Sequence, residues 1–188
     1  KNDGIGSRVC LTYPNKMMKY MFELCFINAL IPKIEDDDNC IFDITSMLRG
    51  NPDLKGFIDS VTEYLSLRIT NQHLLGFNEN TIKVLVRAKL EDLKMLSVNT
   101  EQKLTVSMVG EKFADLVVDN QKGTYYLFEF KYFSKAKAQQ HPNILQEKID
   151  EATEQINCYK KALEFEGKTL YSYIAIFESI NCVHFEQV

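Results

Sequence analysis

The sequence lacks both a long apolar run and a zinc-binding motif. Its longest apolar stretch, residues 17–31, is interrupted by Lys19, Glu23 and Asn28, whereas a membrane-spanning helix needs about 18 apolar residues with almost no charge. The five cysteines never form a C-x-x-C pair and the three histidines are isolated, which argues against a zinc site. We therefore expect no membrane partner, and we expect free thiols in a reducing, cytoplasmic compartment.

Tryptophan is also absent, and the remaining composition is that of an acidic globular domain. Twelve Phe and nine Tyr, with 45% hydrophobic residues, predict a core of aromatic and aliphatic side chains. The net charge of -4 counts against nucleic-acid binding, since phosphates favour basic surfaces. The objection is weak, because residues 35–38 alone supply four carboxylates and bound cations neutralise carboxylates at a metal site. The chain opens with Lys1 rather than Met, so we expect it to be part of a longer protein.

Hydrophobic spacing divides the chain into a helical first part and an α/β second part. We interpret residues 1–72 as an N-terminal helical subdomain, a lid or linker that ends with a helix over 53–67. Residues 73–188 are predicted to form a helix, three strands, a helix and two strands, an order typical of a mixed sheet flanked by helices. The predicted elements are a helix over 78–93, strands over 95–108, 113–119 and 125–133, a helix over 143–165, and strands over 169–177 and 183–188.

A predicted β-hairpin carries the residues with the most chemistry. Residues 120–124 have a turn composition between two apolar flanks. Pairing about this turn places Asp115 opposite Glu129, with Cβ atoms roughly 5 Å apart, and alternation adds Lys131 to the same face. Two carboxylates this close repel each other unless a proton or a cation lies between them. We therefore expect Asp115→Asn to preserve or even raise stability in the absence of metal.

Metal-assisted phosphodiester hydrolysis fits this combination of side chains. Hard oxygen ligands suit Mg²⁺, which keeps several waters and takes a substrate phosphate as a further ligand. A bound metal polarises the phosphate and lowers the pKa of an attacking water. Lys131 would orient or deprotonate that water and stabilise charge on the phosphoryl oxygens.

The pattern D-x(13)-E-x-K on a hairpin resembles the core motif of the PD-(D/E)XK nucleases. Two further segments are similar to that superfamily: residues 78–83 resemble the start of its first core helix, with an acidic residue, and residues 151–159 resemble its E-A-x-x-Q-I-x-x-Y helix. The resemblance implies an α/β, restriction-endonuclease-like core. It also implies a site that binds Mg²⁺, with Mn²⁺ as a substitute.

The resemblance implies roles for individual residues. The metal would be bound by Asp115, Glu129, the backbone carbonyl of Phe130 and, through water or at a second ion, Glu79. Lys131 would be the catalytic lysine and Gln155 would orient phosphate or water.

Alternatives remain open for the outlying positions. Glu79 would also suit a helix first turn because of the helix dipole, Gln155 would also suit a solvent-facing position, and we expect Glu101 at the surface. Weaker candidates for nucleic-acid contacts are Lys135, Lys137 and Tyr159, of which both lysines also suit a solvated loop.

Two functions of different classes follow from these residues. The first is a Mg²⁺-dependent nuclease that acts on DNA, as a module of a larger protein with a toxin or effector role that would include delivery to a host cell. The segment Tyr13-Pro14-Asn15 resembles a link to an AAA-ATPase-like domain in bacterial proteins, although Met17 stands where such proteins often have Glu. The second is a catalytically silent nuclease fold that binds a protein partner, such as an inhibitory protein, or the rest of its own chain.

Overall fold

The computed structural model describes residues 54–68, 77–91, 96–107 and 109–188. All of these residues belong to one compact unit. The predicted helices before residue 53 and the segment at residues 13–15 lie outside the described residues, so the predicted lid over residues 1–72 stays a prediction.

Five strands form one sheet in which spatial order follows chain order. All neighbouring pairs are antiparallel except β3 and β4, which are parallel, so the predicted mixed sheet is confirmed. The parallel pair requires a crossover, because the chain must return to the end of the sheet where β3 began. The strands are β1 (Ser97–Val106), β2 (Gly110–Asp119), β3 (Thr124–Phe133), β4 (Thr169–Glu178) and β5 (Asn181–Gln187).

The helices pack on this sheet at defined strands. They are α1 (Lys55–Arg68), α2 (Glu79–Glu91), the short α3 (Lys135–Gln140) and α4 (Ile144–Tyr159). Helix α4 contacts β3 and β4 and forms the crossover, α2 contacts β1 and β3, and α1 contacts β5. The predicted order of helix, three strands, helix and two strands is confirmed, with α3 as an addition between β3 and α4.

Alternation along the strands divides the core. Val117, Leu127 and Ile174 belong to one buried cluster with Ala152 and Ile156 of α4. Phe128 and Phe130 are also fully buried, but side chains alternate along a strand, so they point to the opposite face.

Several predicted boundaries shift by one to three residues, and the structure departs further from the prediction at the end of α4 and after β3. Helix α4 ends at Tyr159, six residues before the predicted end, because Ala162 bridges Val106 of β1 and residues 163–165 turn into a short 3₁₀ helix that buries Phe165. The predicted loop after β3 contains α3, which begins after Ser134, whose hydroxyl accepts a hydrogen bond from the backbone N–H of Lys137 at 3.2 Å. Local helix capping explains this short helix.

Candidate active site

The alternation of side chains between the two faces of the sheet is interrupted on β2 near Asp115. Ala114 and Val117 lie three residues apart yet pack into the same core cluster, whereas a regular strand would direct them to opposite faces. On β1, Thr100 pairs with Leu116 and Gln102 with Ala114, so Glu101 stands opposite Asp115. Glu101 adopts a positive φ of 51°, a conformation uncommon outside glycine and often found at functional sites. Both strands are therefore irregular at one point.

The predicted hairpin register is confirmed at Val117 and Leu127, whereas the predicted pair of Asp115 with Glu129 falls just outside the ladder. Val117 pairs with Leu127, and the ladder between β2 and β3 ends at Leu116 and Phe128. Beyond that end, the backbone N–H of Phe130 donates a hydrogen bond to Asp115 Oδ2 at 2.9 Å. Because the N–H and C=O of one strand residue project to the same edge, the carbonyl of Phe130 also faces β2.

Lys83 of α2 binds the other oxygen of Asp115. Its ammonium donates to Asp115 Oδ1 at 2.5 Å, and it lies 3.2 Å from Glu79 Oε1 and 3.3 Å from Glu101 Oε1. The side chain of Lys83 is only 9% exposed. Burial by itself would lower the pKa of Lys83, but attraction by Asp115, Glu79 and Glu101 outweighs it and raises the pKa well above the usual value. Lys83 is therefore a buried cation held by three carboxylates.

Glu129 and Lys131 form a second buried pair on β3. The Lys131 ammonium donates to Glu129 Oε1 at 2.7 Å, and the side chain of Glu129 is 2% exposed. Within the described part of the chain, Glu129 Oε2 has no hydrogen-bond partner. Burying a carboxylate oxygen without a partner costs free energy, so a cation or hydrogen-bond donor that binds this atom would stabilise the site.

Burial and charge shift the pKa values of both members of this pair. Burial, followed by repulsion from Asp115, raises the pKa of Glu129 to about 7 despite the attraction of Lys131 and Lys83. Burial tends to lower the pKa of Lys131, but Glu129, Asp115 and Glu151 raise it overall. Lys131 is therefore an ammonium at neutral pH, suited to stabilising negative charge.

Helix α4 turns one stripe of side chains towards the hairpin. Glu151, Gln155 and Tyr159 are spaced four residues apart, and Glu151 Oε1 lies 3.4 Å from Lys131 Nζ. The Gln155 amide donates to the Tyr159 hydroxyl at 3.4 Å, and this hydroxyl donates to the carbonyl of Phe113 at 3.1 Å. Among the described residues, no partner reaches the buried Oε1 of Gln155.

A comparison with protein-family models identifies the superfamily. Residues 77–187, more than half of the chain, match a family of the PD-(D/E)XK nuclease superfamily. The chain belongs to the PD-(D/E)XK nuclease superfamily. Its mixed sheet with flanking helices is the restriction-endonuclease-like core of that superfamily, whose members generally hydrolyse phosphodiester bonds with divalent metals. No curated protein matches the chain.

The donor set of this nuclease-superfamily chain fits a divalent metal in part. In favour are the oxygen-only donors and the orphaned Glu129 Oε2. Against a preformed site, the residues that the structure describes include no group of three or more His, Cys, Asp or Glu side chains positioned to hold a metal ion. The reason is visible in the contacts: Lys83 engages Glu79 and Asp115, while Lys131 engages Glu129.

Most predicted site residues lie together just beyond Leu116 and Phe128, where the ladder of the hairpin ends. Asp115, Glu129, Lys131 and the backbone of Phe130 lie together, and Glu79 joins them through Lys83. From α4, Tyr159 contacts β2 by donating to the carbonyl of Phe113, and Gln155 is linked to Tyr159 by a hydrogen bond. The predicted nucleic-acid contacts Lys135 and Lys137 are exposed on α3, and their role stays a prediction.

Sequence reasoning missed Lys83 and Glu151 and assigned Glu101 to the surface. Glu101 is 58% exposed, but its carboxylate reaches Lys83 at the site. Helical spacing could have identified the other two, because Lys83 follows Glu79 by four residues and Glu151 precedes Gln155 by four. No local signal could have identified Glu101, since its contact depends on the pairing of β1 with β2.

Proposed function

We propose that this domain is a Mg²⁺-dependent nuclease that cleaves DNA, with Mn²⁺ as a substitute for Mg²⁺. The observation that carries the proposal is Glu129: a buried carboxylate with one oxygen on Lys131 and the other without a partner among the described residues. Such an atom is suited to a cation. This proposal goes beyond the superfamily, which implies phosphodiester hydrolysis in general.

Each residue of the site has a role in the proposed reaction. Asp115, Glu129 and the Phe130 carbonyl would hold the metal, with Glu79 reaching it through water. When bound, the metal would polarise the phosphate and lower the pKa of the attacking water. The Lys131 ammonium would stabilise charge that develops on the phosphoryl oxygens.

Gln155 would orient the attacking water or a phosphate. The support is its partnerless Oε1, which is able to accept a hydrogen bond, and the hydroxyl of Tyr159, which fixes the orientation of the amide. Tyr159, Lys135 and Lys137 would contact the nucleic acid beyond the scissile phosphate.

Cleavage assays test the proposal. We expect duplex DNA to be cut with Mg²⁺ or Mn²⁺ and not with EDTA, and we expect Lys131→Met to lower the rate at least about 100-fold, the usual effect of removing a group that stabilises transition-state charge. Lys122→Met is the matched control, because Lys122 is exposed in the hairpin turn. Single-stranded DNA and RNA, tested in parallel, identify the substrate. Equal cleavage by the wild type and Lys131→Met would refute the assignment.

One observation favours a second candidate, a silent nuclease fold that binds a protein. Lys83 pairs with Asp115 and Lys131 pairs with Glu129, so each carboxylate of the hairpin already has a cationic partner without metal. Absence of cleavage on every substrate, with an intact fold by circular dichroism, would favour this candidate. The partner would be an inhibitory protein or the rest of the chain's own protein.

The proposed neighbouring domain and biological role rest only on the family resemblance of residues 13–15. We propose that the domain follows an AAA-ATPase-like domain in an intracellular toxin or effector. In the described part of the chain, no helix is long and apolar enough to cross a membrane. Pull-down of the full-length protein with a candidate inhibitory protein would test the partner.

A further inference from the structure

The ammonium of Lys83 occupies a position bounded by three carboxylates. Oxygens of Asp115, Glu79 and Glu101 lie 2.5, 3.2 and 3.3 Å from its nitrogen. These acids come from three different elements, namely β2, α2 and β1. Two of the three are ligands in the proposed metal site. A position enclosed by carboxylate oxygens from several elements is a cation position, and here a lysine fills it.

A metal that binds Asp115 at Oδ1 competes with Lys83 for the same oxygen. Both oxygens of Asp115 are engaged, Oδ2 by the backbone N–H of Phe130 and Oδ1 by Lys83. The backbone N–H belongs to the sheet and is held by the strand. Lys83, in contrast, has a flexible side chain with two further carboxylates within reach. It is therefore the partner that can leave.

We propose that Lys83 is an internal counter-cation that stabilises the metal-free site and is displaced when a divalent metal binds Asp115. This inference rests on the proposed function, because it requires a metal at Asp115. Competition by Lys83 weakens metal binding in the free protein. After displacement, the ammonium remains tethered near Glu79 on its own helix and Glu101 on β1, and its charge becomes available to a substrate phosphate.

Metal affinity of a lysine variant tests the displacement. We would titrate Mn²⁺ into the full chain without nucleic acid and measure heat release for the wild type, Lys83→Met and the control Lys122→Met. Methionine has a similar length but no charge, so it cannot compete. We expect Lys83→Met to bind Mn²⁺ about tenfold more tightly than the wild type, since a charge-assisted contact no longer has to be broken. Lys122→Met should match the wild type.

A second measurement on the wild type needs no substitution at Lys83. Reductive methylation with peptide mapping reports how accessible each lysine amine is. We expect saturating Mg²⁺ to increase labelling of Lys83 severalfold and to leave Lys122 unchanged. Unchanged labelling of Lys83 with metal bound would overturn the proposal even if Lys83→Met failed to fold.

The metal titrations separate the role of Lys83 from the existence of the metal site. If wild-type binding is abolished by Glu129→Gln but Lys83→Met binds no more tightly than the wild type, the counter-cation role is wrong and the metal site stands. If no variant binds Mn²⁺ and labelling of Lys83 does not respond to metal, the proposed metal site and this inference are both wrong.

Discussion

At the scale of single residues, the site consists of buried charges whose partners determine its behaviour. Counted over the whole residue and not the side chain alone, Asp115, Glu129, Lys83 and Lys131 are each at most 8% exposed. Buried charges are tolerated when they are paired, and removing one partner is far more costly than removing a surface charge. Substitutions here therefore change stability as well as activity, and the two effects must be measured separately.

The raised pKa of Glu129 predicts a pH dependence of stability in metal-free protein. Its pKa rises from the usual 4.5 to about 7 on folding, so the folded state binds more protons than the unfolded state between these values. The free energy of unfolding contributed by Glu129 therefore falls as pH rises from about 4.5 to about 7, by up to about 3 kcal/mol. Urea denaturation in EDTA at pH 5 and pH 7.5 measures it. Glu129→Gln cannot titrate at this position, so its free energy of unfolding should lack this part of the fall. If the free energies of unfolding of the wild type and Glu129→Gln differ by the same amount at both pH values, the prediction is wrong.

The contacts of Asp115 reverse an expectation drawn from its charge alone. Repulsion from Glu129 suggested that Asp115→Asn would preserve or raise stability without metal, but Asp115 also holds Lys83 and the amide of Phe130. We now expect Asp115→Asn to lower the free energy of unfolding by about 1–3 kcal/mol. Glu111→Gln is the control: it lies on the same strand and breaks an exposed ion pair with Lys103, worth less than about 1 kcal/mol. A smaller effect for Asp115→Asn than for Glu111→Gln would restore the original view.

At the scale of elements, two helices carry side chains to one end of a hairpin. Helix α2 contributes Glu79 and Lys83 from its first two turns, and α4 contributes Glu151, Gln155 and Tyr159 from its last three. The hairpin supplies the two carboxylates that the sheet holds in place. Capping and packing of the two helices therefore control the geometry of the site.

The N-cap of α2 provides a test at this scale. The Asn78 side chain accepts a hydrogen bond from the backbone N–H of Thr81 at 3.2 Å, next to Glu79 and one turn before Lys83. We expect Asn78→Ala to lower the free energy of unfolding by about 1 kcal/mol and to weaken metal binding. Asn157→Ala, at an exposed position inside α4, is the control and should be neutral or stabilising because alanine favours helix interiors. Chemical denaturation and Mn²⁺ titration measure both effects, and equal results for the two variants would argue against a role for the cap.

At the scale of the whole molecule, the proposed metal is a ligand of the folded state. Its ligands come from separate elements, so the unfolded chain cannot hold it in the same way. Binding should therefore stabilise the fold by about 2.7 kcal/mol at a metal concentration 100 times Kd. We expect Mg²⁺ to raise the melting temperature of the wild type but not of Glu129→Gln. An equal rise in both would indicate binding elsewhere on the acidic surface.

Local patterns in the sequence determined the hairpin and the identity of its charged residues. Turn composition between residues 120 and 124, with alternation on either side, was enough to predict the register of Val117 with Leu127. Helical spacing was enough to place Gln155 and Tyr159 on one face of α4. These features depend on residues close in the chain, where the periods of strand and helix apply directly.

Only the tertiary structure determined which cation neutralises Asp115. Lys83 lies 32 residues from Asp115 in the chain, and their contact depends on how α2 packs over the sheet. The backbone conformation of Glu101 likewise depends on its position opposite Asp115 in a neighbouring strand. Long-range packing and pairing bring these groups together, and no local period encodes them. The sequence alone therefore determined the hairpin and its acids, whereas the fold determined the lysine that competes for them.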